Sequence, residues 1–159
     1  MCVPTLAFAL LGETKPQSLK RYGKPFNAAG NVLYYKASGY VIAEWFNPNG
    51  ICELIDYMKL QGPLTKQAMT ELGAANLPSS IKEKDWIEQP SVDPNSNCWV
   101  TLDYLWYCEI GTAQFGGSKY QYPGCIFGTV RAYNLLHKEL GQTAQPQLID
   151  IGFTRLELD

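Results

Sequence analysis

Three carboxylates, Glu44, Glu53 and Asp56, fall close together in the stretch GYVIAEWFNPNGICELIDYMK. Two of them facing each other across paired strands would have the residue types of a general acid and base, as in a small hydrolase. That reading predicts a cleft and a shifted pKa. Strand alternation predicts the opposite, with charges on the wet face and Glu44 paired to Lys36 or Lys59. The single histidine, His137, would have to serve any Ser-His or Cys-His nucleophilic site, with Cys108 or Cys125 as thiol. Its surroundings, YNLLHKEL, read instead as a solvated helix flanked by Lys138 and Glu139. One histidine also leaves a metal site dependent on carboxylates or thiols, and no Asp/Glu cluster has ligand spacing. Residues 111–119 carry glycine and lysine but lack phosphate-loop spacing, and they read as a hairpin loop. No catalytic residue, metal or cofactor is therefore assigned, and the hydrolase stays a minority alternative.

The aromatic residues carry the stronger signal. They make up 13% of the chain, with four Trp and ten Tyr, which is more ring surface than a core of this size usually absorbs. Trp45, Trp86, Trp99 and Trp106, with Tyr104, Tyr107, Tyr120 and Tyr122, gather around strand-like segments and a glycine loop. Rings on an open sheet face anchor protein partners in pockets or stack on sugars. The residues expected to bind are Trp45, Trp106, Tyr104, Tyr120 and Tyr122. Tyr120 and Tyr122, beside Gly117 and Gly124, are the pair expected in solvent. The leading expectation is a non-catalytic protein that recognises a protein partner through an exposed sheet face and aromatic loop. Carbohydrate or cell-wall ligand binding is the alternative, and an exposed edge strand would also permit a homodimer.

These residues must be positioned by an α+β domain with antiparallel sheet and helices on one face, arranged as two helix-meander units. At 159 residues the chain suits one domain, here 13–159, with a first unit over 13–78 and a second unit and tail over 79–159. Valine, isoleucine and aromatic residues on both sides of Asn47-Pro48-Asn49-Gly50 predict a meander, since Asn-Gly supplies the positive φ of a tight turn. A helix over Thr14–Tyr22 should stop at Gly23-Lys24-Pro25. A second should be capped by Thr65 and end at Leu77-Pro78. After a polar linker, IKEKDWIEQPSVDPNSN, strands are expected in CWVTLD, LWYCEIGTAQF and Cys125–Val130, with a turn at Tyr122-Pro123-Gly124. Arg131–Leu140 reads as a helix and Leu148–Phe153 as a short alternating stretch. With 13 Lys+Arg against 15 Asp+Glu, no basic field attracts phosphate backbones or an anionic membrane surface, so nucleic-acid partners are not expected. No transmembrane segment is read.

The first twelve residues read as a signal remnant or an apolar arm. The chain is apolar through Leu11, and Ala7-Phe8-Ala9 has the small-x-small form that signal peptidase cuts after. Export to the periplasm or outside the cell is one expectation and a cytoplasmic protein the other. Five cysteines, at 2, 52, 98, 108 and 125, include no CxxC pair, so zinc-ribbon and thioredoxin readings fail. In an exported chain Cys98 could pair with Cys108 or Cys125, and loss of Cys2 would leave four cysteines with three pairings. Otherwise they are buried apolar residues.

The run LGETKPQSLKRYGKP, with an aromatic strand pair closing in Asn49-Gly50, resembles the start of small exported bacterial proteins of unknown function. More distantly it is similar to the helix-then-meander unit of the β-lactamase inhibitory protein and of small outer-membrane assembly lipoproteins. Tyr22, Gly23 and Pro25 match the corner that follows the helix, and Tyr34 and Tyr35 match the aromatic strand. The likeness covers about the first 60 residues. It implies a scaffold that acts by binding a protein, although the lipid-bearing cysteine of the lipoproteins has no counterpart.

Overall fold

The computed structural model describes residues 10–90, 96–114 and 121–139. Two four-stranded antiparallel meanders, each preceded by a helix, join into one eight-stranded sheet. Helix α1 (Lys15–Tyr22) leads into β1 (Asn27–Ala29), β2 (Val32–Ala37), β3 (Tyr40–Phe46) and β4 (Cys52–Lys59). Helix α2 (Lys66–Asn76) and a single 3-10 turn (Glu83–Asp85) lead into β5 (Trp86–Gln89), β6 (Asn97–Thr101), β7 (Trp106–Gln114) and β8 (Gln121–Thr129), and α3 (Val130–Glu139) follows. The order across the sheet is β1-β2-β3-β4-β8-β7-β6-β5, so the meanders meet only where β4 pairs with β8.

Local chemistry accounts for most boundaries. Thr14 and Gln17 form a reciprocal capping box: Gln17 N–H donates to Thr14 Oγ1 and Thr14 N–H donates to Gln17 Oε1 at 2.8 Å. The Thr65 hydroxyl caps α2 by accepting from Ala68 N–H at 3.1 Å, and Leu77 before Pro78 is extended, which ends the helix. In the β3–β4 turn Asn47 Oδ1 accepts from the Asn49 and Ile51 N–H groups, and Gly50 takes φ 74.

Two boundaries differ from the expected ones, while the first aromatic run resolves into strands of the expected meander. The first aromatic run is two strands, because Ser38 (φ 52) and Gly39 (φ 81) make a left-handed two-residue turn between β2 and β3. The polar linker contains β5, which pairs with β6. Tyr122-Pro123-Gly124 is strand and not a turn. Proline is tolerated there because β4 pairs with β8 only as far as Gly124, leaving Pro123 bonded to β7 alone.

The sheet is covered on both faces. On one face, Ile42, Phe46, Ile55, Tyr57, Cys125 and Phe127 pack with Leu72 of α2, and α1 lies over Tyr35 and Glu44. On the other, Val41, Ala43, Trp45, Leu54 and Tyr107 pack with Ala132 and Tyr133 of α3, whose ring lies 4.0 Å from that of Tyr107. Two helices thus share one face as expected and the third takes the opposite one. The register makes this explicit: Leu33, Glu44, Ile55, Phe127, Cys108, Trp99 and Glu88 form one continuous cross-strand row. The apolar arm Met1–Ala9, the turn Asp93-Pro94-Asn95, residues 115–120 and the tail 140–159, with its Leu148–Phe153 stretch, lie outside the described residues.

Candidate interaction surface

The expected binding residues do not converge. Trp45 is 1% exposed and packs beneath α3, so it belongs to the core rather than to a contact surface. Tyr104, in the β6–β7 turn with φ 55, and Tyr122, in β8, are half-buried against that same α3-side cluster. Tyr120 lies outside the described residues. Trp106 alone lies on the α2 face, at the end of the sheet away from α1.

Two tryptophans that were not in the expected binding set join it there. Trp86 pairs with Thr101, whose hydroxyl accepts from Trp106 N–H at 3.1 Å, so Trp86 and Trp106 flank β6 in one row. Trp99 lies in the next row, between Glu88 and Cys108. With strands about 4.8 Å apart, Trp86 and Trp106 stand about 10 Å from each other at the backbone. All three are half-buried, whereas the indole of Trp45 is enclosed. The α1 and α2 helices that cover this face pack on β2 and β8. Leu102 and Leu105, at 58% and 60% exposure, extend the apolar surface past Trp86 and Trp106. Leu102 N–H donates to Asp85 O beside Trp86, and Leu105 O accepts from Val130 N–H, so both are fixed by main-chain bonds. The clue in the sequence was strand parity, which becomes usable only once β5 is recognised.

The three carboxylates of the first meander are not a catalytic pair. Glu44 pairs with Ile55 and Asp56 with Ala43, which puts the two acids on opposite faces. Glu53 sits at the irregularity between β3 and β4, where its Oε1 accepts from Asn47 Nδ2 at 2.8 Å. Glu44 is also not on a wet face: it is 0% exposed, accepts from the Ser18 hydroxyl and leaves Oε1 without a partner. Burial pushes its carboxyl up to about 7. The lysines expected to pair with it lie elsewhere, Lys36 over the Phe26 ring and Lys59 over the Tyr40 ring.

Asp56 instead shares the α3 face with Glu109, each pairing with Ile126 from a different side. A half-open cavity of about 30 Å³, large enough for a water, lies between them and is completed by Ser96, Gly111, Thr112 and Gly124. Burial, and then the neighbouring Glu109, raise the Asp56 carboxyl to about 7. Its Oδ1 is enclosed and meets no donor.

Cys98 and Cys108 are on neighbouring strands but opposite faces, since Trp99 is the partner of Cys108, so they cannot bridge. Cys108 and Cys125 share a face in diagonal register, a separation of about 7–8 Å that a disulfide does not span without backbone movement. Cys52, Cys98, Cys108 and Cys125 are all free thiols. His137 lies within α3, and its side chain is outside the described residues. Among the described residues no three His, Cys, Asp or Glu side chains are grouped to hold a metal ion, and no helix is long and apolar enough to cross a membrane. No family model matches the chain, and no curated protein or solved structure matches it either.

Proposed function

We propose that the protein is a non-catalytic interaction protein that recognises a protein partner through the β5–β7 surface. One observation carries this reading: Trp86, Trp99 and Trp106 share a face, beside two leucines that are more than half exposed. Half-buried indoles are fixed in place, so they lose little side-chain entropy on contact, and they provide the large rigid area typical of interface anchors. The adjoining leucines favour a protein over a sugar, because a sugar site sets polar groups around its stacking rings while here two exposed apolar side chains flank them. We place this activity outside the cytosol, on the apolar run through Leu11 and on the resemblance of residues 12–60 to exported binding scaffolds.

A photoactivatable crosslinker at position 106, with position 66 on α2 as control, tests the surface in living cells of the native host. The expected result is a discrete heterologous adduct from position 106 alone, lost in a Trp86→Ala, Leu105→Asp variant that remains folded. Equal adducts from both positions would refute the reading. Saturable quenching of tryptophan fluorescence by small oligosaccharides would reassign the face to sugar binding.

A further inference from the structure

The geometry points to α1 as a pH-sensitive latch: the helix closes over Glu44 through Ser18, and the uncompensated charge left there when the carboxyl loses its proton loosens it. Surface helices are usually held by an apolar stripe. Here α1 has a single buried residue, Ser18, while the next residue, Leu19, is 43% exposed. The helix meets the sheet through the Ser18 hydroxyl, hydrogen-bonded to Glu44 Oε2 and to Tyr35 Oη at 3.2 Å, and through the Tyr22 ring on that of Tyr35 at 5.0 Å.

A hydroxyl has one proton to give. When Glu44 is protonated it can donate to Ser18 and Ser18 to Tyr35; when it is ionised the chain runs the other way, Tyr35 to Ser18 to Glu44, so these two contacts survive in both states. The cost of the ionised form lies at its other oxygen: Oε2 accepts from Ser18, but Oε1 is left as bare charge at a site with no exposure. Arg21 relieves part of that charge and Glu13 adds to it. Tyr22 on α1, Tyr35 on β2, and Cys52 and Tyr57 on β4 are all groups whose own ionisation burial suppresses, so they stay neutral beside it. Arg21 is engaged by Glu13, its Nε donating to Oε1 at 3.0 Å, so the two nearby charges oppose each other at Glu44. Lys15 lies over the Phe46 ring.

Main-chain bonds fix both ends of the segment. Lys15 N–H donates to Gly50 O, Cys52 N–H to Glu13 O and Phe26 N–H to Tyr34 O. The movement is therefore a loosening of Ser18–Tyr22 between two anchored ends, which exposes Glu44 and Tyr35 to water.

Hydrogen exchange of the native protein at pH 5 and pH 8, corrected for intrinsic rates and read by mass spectrometry, tests the latch. A carboxyl at its ordinary value when open and near 7 when closed makes opening on the order of 50-fold more frequent at pH 8 than at pH 5. That increase is expected in amides 18–23 and not in α2. Glu44→Gln should abolish the pH dependence. Ser18→Ala removes a bond that favours the ionised form, so it should move the transition to higher pH even if Glu44→Gln does not fold. Constant protection of α1 in the wild type, parallel opening of α2, or an unchanged transition in both variants would overturn the proposal.

Discussion

Replacing Gly128 by alanine tests whether the seam between the two meanders holds the fold together. A Cβ at Gly128 would meet Glu53 O at 2.7 Å and Leu54 Cα at 3.0 Å, both main chain of β4. No side chain can rotate away, so β4 and β8 must separate by several tenths of an ångström at the one place where the meanders are bonded. Overpacking typically costs about 1–3 kcal/mol, and a main-chain obstacle puts Gly128→Ala near the top, at about 3 kcal/mol. Gly73 in α2 is the control. There an added Cβ meets Phe127 Cε1 at 3.6 Å, an ordinary contact, so Gly73→Ala should stabilise by about 0.5–1 kcal/mol through helix propensity. The assay is urea unfolding followed by tryptophan fluorescence. With an m-value of about 1.5 kcal/mol/M, the Gly128→Ala midpoint should fall by about 2 M and that of Gly73→Ala should rise by about 0.5 M. A Gly128→Ala midpoint within about 0.3 M of the wild type, or equal losses in both variants, would refute the argument that main-chain contact at this seam limits the sheet.

Stability should also fall as pH rises. The folded chain holds the Glu44 proton to about 7, whereas the unfolded chain loses it near 4.5, so the contribution is complete below the lower value and lost through the upper one. For Glu44 the loss between pH 5 and pH 8 is about 2–3 kcal/mol, and Asp56 acts in the same direction. Denaturation midpoints at the two pH values should converge in a Glu44→Gln, Asp56→Asn double variant, and unchanged divergence would count against both carboxyls. The thiols should be inert: burial pushes Cys98 up to about 11 and Cys108 up to about 12, and also raises Cys52 and Cys125. A thiol reagent at pH 8 should label these four slowly in native protein and rapidly in denaturant, and fast native labelling would contradict their burial.

Short-range chemistry was legible in the chain. Thr65 as a cap, Gly23 and Leu77-Pro78 as stops and Asn49-Gly50 as a turn each depend on neighbours a few residues away, and each is where it was expected, whereas Thr14, read as the first helical residue, is the cap of α1. What was not legible depends on which faces are covered. In β3 every residue is buried, because helices lie on both sides of it. Alternation therefore could not tell Trp45 or Glu44 from a surface residue, and both had been read as exposed. Strand β5 was hidden by its charged approach, Lys82-Glu83-Lys84-Asp85, and by Pro90 immediately after it. Missing it also hid the alignment of Trp86 with Trp106, which is the basis of the proposed surface. Pro123 suggested a turn because nothing local shows that β4 ends its pairing one residue away.

The place of β8 in the middle of the sheet has a consequence for synthesis. The ribosome delivers β1 to β4 long before the strand that covers β4, so any structure the first meander forms in the interval has β4 as a raw edge open to pairing with another chain. Asp56 lies near the centre of that edge. In the nascent chain its carboxyl is wet and charged at neutral pH, and a charge on an open strand discourages edge-to-edge association. The same side chain is a burden once β8 arrives, enclosed and without a donor for Oδ1. An acid that weakens the finished sheet is thus also one that guards the unfinished one.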